Sequence, residues 1–167
     1  MTDTESVQAV RLKIFGWLRD IKAEPENIID KNAHFNIRYK IGAYYLIAAQ
    51  PLTVGDAITL YGSSAPTDQQ LAAAYKDFDE TRHGEFMNDI KLYLLAMGEV
   101  GNYELKTNPQ GRFVSLELQS KQIFYDGLTK DRLVSVSLEL VKAMLAGALI
   151  FENHFGKLLP PPTGGLR

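Results

Sequence analysis

Between Val141 and Phe151 the apolar residues Val141, Met144, Leu145, Ala148, Leu149, Ile150 and Phe151 go round most of the circumference of a helix. A helix that is apolar on every side has to be covered on every side. In a chain of 167 residues, one face of such a helix can lie on the chain's own sheet, and the other must find a second surface, most simply the same helix of a second copy. Val141, Met144, Leu145, Ala148 and Leu149 are therefore the expected partner or dimer interface. Ala143 and Gly147, four apart, would let two backbones approach closely, although that spacing is common by chance. The helix is predicted from about Lys130 to Asn153, amphipathic at first through Leu133, Val136 and Leu140, and Gly156 stops it.

The rest of the chain supplies a sheet. From Asp3 to Lys22, Val7, Val10, Ile14, Trp17 and Ile21 recur at spacings of three and four, which predicts a helix closed by Ala23-Glu24-Pro25. In His34 to Ile41 polar and apolar residues alternate without a break, so Phe35, Ile37, Tyr39 and Ile41 face a core while His34, Asn36, Arg38 and Lys40 face water. Gly42 permits a turn. Tyr44 to Ala49 is apolar on both parities, which predicts a more central strand covered on both faces, and Val54 to Tyr61 gives a third strand. The region from Thr67 to Met97 carries two helical stripes parted by a charge cluster and Gly84, hence two helices or one kinked helix. Tyr103 to Lys106 and Phe113 to Leu118 alternate on either side of the turn signal Asn108-Pro109-Gln110-Gly111, and Ile123 to Asp126 reads as a third strand or as the continuation of a bent second one.

The order is therefore helix, three strands, helix region, three strands, helix. Short connections argue for antiparallel pairing, and the fold class is α+β, an antiparallel sheet packed against helices. One domain over residues 1–157 is expected, followed by an extended Pro/Gly-rich tail over residues 158–167. At Ile123 to Leu133 a β-branched and aromatic run stops at Asp126-Gly127 and a helix begins, with Asp126 or Thr129 as cap and Gly127 expected at a positive φ.

Composition removes several chemistries. Without cysteine there are no disulfides, thiolate metal sites, iron–sulfur clusters or cysteine nucleophiles. A net charge of −2 gives no long-range attraction for phosphate backbones or anionic lipid. The start of the chain lacks the basic-then-apolar order of a secretory signal, and the run from Leu138 to Phe151 reads as too short for a bilayer, which needs ~20 apolar residues. A cytoplasmic location with neither nucleic-acid nor membrane partners is expected.

No catalytic or metal constellation stands out. His34, His83 and His154 lie far apart, and Asp79 with His83 supplies two ligands at most. Asp77, Asp79, Glu80 and Glu85 read as a solvated face, since nothing beside them would raise a carboxylate pKa by burial. Tyr44 and Tyr45 near Arg38 and Lys40 imitate a base-stacking sheet, but Phe35 and Tyr39 lie on the opposite face from the two cations. No cofactor is implied and the reading leans away from an enzyme.

The element order, together with Ile123-Phe124-Tyr125-Asp126-Gly127-Leu128-Thr129-Lys130-Asp131-Arg132-Leu133, resembles an uncharacterised archaeal family of cytosolic domains whose fold is similar to that of type III secretion chaperones. The resemblance implies a homodimer that uses exposed sheet and helix surface to hold an extended or helical segment of another protein, with no catalytic residues to carry over. The alternative is a small-ligand receptor or enzyme with a pocket near Arg82-His83.

Overall fold

The computed structural model describes residues 4–156. The tail expected over residues 158–167 lies outside them. Helix α1 (Thr4–Asp20) buries Val7 and Ile14 of the stripe its periodicity marks, with Leu18 beside them, while Val10, Trp17 and Ile21 of that stripe are half-buried. It ends where Lys22 and Glu24 take φ of 58° and 51°, and the Ala23 amide donates back to the Leu18 carbonyl at 2.9 Å.

Among the described residues seven strands follow, one more than the sequence pattern predicts. The extra one is β1 (Glu26–Ile28), three residues with no room for alternation, hydrogen-bonded to the edge of β2 (Ala33–Ile41). A tight turn with Gly42 at φ 60° leads into β3 (Tyr44–Pro51), and β4 (Ala57–Ser64) completes the first block. Helices α2 (Asp68–Lys76) and α3 (Glu80–Leu95) follow. They part at Asp77 to Asp79, where the Asp79 carboxylate caps α3 by accepting from the Arg82 amide; Gly84 lies within α3, exposed to solvent. Then come β5 (Val100–Thr107), β6 (Phe113–Ser120), the short β7 (Ile123–Phe124), a 3₁₀ turn at Tyr125–Gly127 and α4 (Lys130–Phe155).

All strands join one antiparallel sheet in the order β1-β2-β3-β4-β6-β5, and β7 pairs with the first half of β4 on the side that β6 occupies further along. The two predicted blocks are thus fused through β4 and β6. Between Ile58↔Ile123 and Tyr61↔Gln119, β4 advances three residues and its neighbour four, a bulge. At this gap the Ser120 hydroxyl accepts from the Leu60 amide at 2.9 Å, replacing a ladder bond. Ile123 onward is therefore the bent continuation of β6 as well as a strand in its own right.

Among the described residues the helices cover one face only. Inward residues Ile37, Tyr39, Leu46, Ala48, Leu60, Leu116 and Leu118 are buried in the core, and α4 crosses β4, β6 and β2, with α1 over β2 and α3 between α4 and β5. The expectation that β3 is covered on both faces does not hold within the chain: Tyr45 is 56% exposed and Ile47 half-buried.

Candidate functional site

Three regions bear on function: the outer side of α4, the aromatic cluster at His83, and the bare sheet face.

Thr129 starts α4, its side-chain oxygen accepting from the Arg132 amide at 3.1 Å. Gly127 lies in the 3₁₀ turn and is not among the positive-φ glycines, contrary to expectation, while Asp126 is exposed in that turn. Arg132 forks onto Glu99 at 2.6 and 2.8 Å and fastens the first turn of α4 to the start of β5. Tyr125 donates to the buried Gln50, whose amide donates to the Val54 and Gly55 carbonyls, each at 3.0 Å, so the turn before α4 and the β3–β4 loop hold each other.

On the inner side of α4, Leu133, Val136, Leu140, Ala143, Met144, Gly147 and Phe151 are buried. Gly147 lets the helix lie close to Leu116, which would stand 3.1 Å from an added Cβ, and Gly62 makes the same room for Met144. The Tyr39 phenol, its pKa pushed up by burial, hydrogen-bonds Ser137 at 2.7 Å, and the Ser137 hydroxyl donates to the Leu133 carbonyl.

The five predicted interface residues do not share a side. Met144 is fully buried in the chain's own core, because its position on the helix points at the sheet. Val141 is half-buried at the margin, and Leu145, Ala148 and Leu149 are exposed. With Leu138, which the sequence reading left out, Leu145 and Leu149 form an outward row, 44, 47 and 51% exposed. By length and composition α4 is able to cross a membrane, its most apolar 18-residue window having a mean hydropathy of 1.9. The shorter run read from sequence understated it; its inner side nonetheless packs on the sheet.

Arg82 is exposed, and His83 is buried among Tyr75, Phe78 and Phe86. Its Nε2 accepts from the Phe113 amide at 3.0 Å, while the Tyr75 hydroxyl donates to the Phe113 carbonyl, so two side chains satisfy the end of β6. Burial, then the nearby Arg112 charge, lowers the His83 pKa. Arg112 stacks over Phe78 at 4.0 Å. The place predicted for a pocket is thus filled by rings. Beside it a crevice of about 70 Å³ lies between α4 and the connection from β4 to α2, with Pro66, Phe113, Ala148 and Glu152 at its walls. Among the described residues no group of three or more His, Cys, Asp or Glu is placed to hold a metal ion.

The bare face carries Arg38, Ile47, Tyr61, Gln119 and Asn102 in one row across β2, β3, β4, β6 and β5. On one side of it stand Lys40 beside Tyr45, and Ser63, Glu117 and Glu104 in register. Arg38 and Lys40 lie 5.4 and 5.7 Å from the Tyr45 ring centre, on the same face. Phe35 and Tyr39 are buried on the face opposite the cations, and Tyr45 is the aromatic that joins them. The signal was present in the double-parity apolar run, which demands a cover that the helices do not supply.

A model of the family described as an uncharacterized conserved protein (DUF2299) matches residues 10–151, and the chain belongs to that family. Among solved structures it is similar to an uncharacterized protein from Methanothermobacter thermautotrophicus, with 22% identity over 90% of this chain and 99% of that one, and a TM-score of 0.77. That likeness is one of fold. No curated protein matches.

Proposed function

We propose that this member of the family is a cytoplasmic, homodimeric protein-binding module of chaperone or adaptor type, and that the outward row of α4 takes an amphipathic helical segment of a client protein. The observation that carries the reading is that row. Leu138, Leu145 and Leu149 stand half in water on the helix whose other side fills the core. Each leucine left there forgoes roughly 1 kcal/mol of burial. Their spacings of seven and four match the anchors of one helix laid along another. The resemblance of the element order and of Ile123 to Leu133 to an archaeal family with a fold like that of type III secretion chaperones supports the same reading, since it implies helix and sheet surface used to hold a partner segment.

The test is comparative capture. Tagged wild-type protein is expected to retain a client from the native extract that Leu145→Asp/Leu149→Asp loses by roughly tenfold or more. The variant's thermal midpoint should stay close to that of the wild type, because both side chains are half-exposed. Equal capture by a folded variant would remove α4 from the binding surface.

A further inference from the structure

The geometry points to the bare sheet face as the surface on which a second copy of this chain sits. The inference rests on the homodimer in the reading above and supplies its contact, leaving α4 for the client. Two properties of the face single out a second copy. Its centre is apolar, with Ile47 and Tyr61 cross-strand neighbours and Ala49 beside them, 4% exposed, where a shallow depression opens. Its two ends also carry opposite charge.

At the β2 end, Arg38 is paired with Glu26 at 2.5 Å, whereas Lys40 has no carboxylate partner among the described residues. At the β6–β5 end, Glu117 and Glu104 are cross-strand neighbours and Lys106 pairs with Glu117 alone, at 3.1 Å. One end therefore has a cation in excess and the other an anion.

A two-fold axis parallel to the strands, lying above the β3–β4 boundary, reverses strand order and keeps the rows level. It sets β3 over β4 of the second copy and β2 over its β6. Ile47 then meets Tyr61 of the second copy, and Lys40 meets Glu117, and the symmetry repeats both contacts. Two sheets packed this way keep their strands within about 30° of each other, so the correspondence holds best at the centre. From strand spacing and rise, the face spans roughly 24 by 20 Å, or roughly 1,000 Å² counting both copies, the lower end for a specific interface. A weak dimer follows. A single-stranded nucleic acid on Tyr45, Arg38 and Lys40 fits less well, because the Glu104–Glu117 end repels phosphate.

Sedimentation across a concentration series tests this with charge reversals. Wild-type protein should associate to a dimer. Lys40→Glu and Glu117→Lys should each weaken it by roughly tenfold or more, since each puts like charges together twice per dimer. Mixing the two variants one to one should restore association close to the wild-type level, because both contacts then pair opposite charges. Both positions are solvent-accessible, and unchanged melting of each variant confirms that the fold is intact. No recovery on mixing overturns the inference. A dimer untouched by either reversal but split by Leu145→Asp moves the contact to α4 and leaves the homodimer standing. A wild-type monomer at high micromolar concentration overturns the homodimer and this inference together. Binding of a labelled oligothymidine that falls with Lys40→Glu and rises with Glu117→Lys, without self-association, assigns the face to nucleic acid instead.

Discussion

His83 is the side chain whose chemistry is most constrained. Its Nε2 accepts a hydrogen bond from the Phe113 amide, and it does so only while unprotonated. The folded state therefore resists the proton, and the lowered pKa, from burial first and the Arg112 charge second, expresses that resistance. An unfolded histidine titrates near about 6.5. The stability this group contributes is complete above that value, and it is lost as pH falls through the window between the unfolded value and the lowered folded one. The urea midpoint should accordingly hold level above neutrality and drop on acidification. In His83→Gln, whose amide oxygen is able to accept from Phe113, the drop should be shallower. Equal slopes in the two proteins would show that His83 does not carry the effect. Neither burial nor acceptor was legible in the sequence. His83 stood in a run of charges, and its partners come from β6, thirty residues away.

At the scale of elements, what the sequence shows well is local. The Thr129 cap, the Gly156 stop at φ 87° and the stripe of α1 all depend on residues within a turn or two. What it shows poorly is decided elsewhere. β1 exists because the edge of β2 offers it a ladder, and the division of the middle helices falls at the Asp79 cap because a good cap outweighs one exposed glycine. Gly84 has nothing within 4 Å of where a Cβ would stand. Gly84→Ala should therefore stabilise the protein by about 0.5–1 kcal/mol, through lost freedom in the unfolded chain and better helix propensity. A lower denaturation midpoint would mean that the break between α2 and α3 needs the glycine after all.

At the scale of the molecule, the described residues form a sheet with helices on one side, and the candidate surfaces follow from that asymmetry. The alternation from His34 to Ile41 already marked a wet face, and the double parity of Tyr44 to Ala49 marked a strand short of cover. Their sum was not legible, because the fusion of the two blocks through β4 and β6 pairs residues almost sixty positions apart. The same fusion bears on slow dynamics. Leu60 lies in the middle of the sheet, yet its amide is held by the buried Ser120 hydroxyl where the ladder steps over the bulge. Opening there requires one side chain to turn, whereas the neighbouring amides wait for a strand to part. Native-state hydrogen exchange should show it: in Ser120→Ala the Leu60 amide exchanges faster by roughly tenfold or more while the rest of β4 keeps its protection. Uniform acceleration along β4 would instead make the bulge a fastening for the entire sheet, with one hydroxyl setting how often its two halves separate.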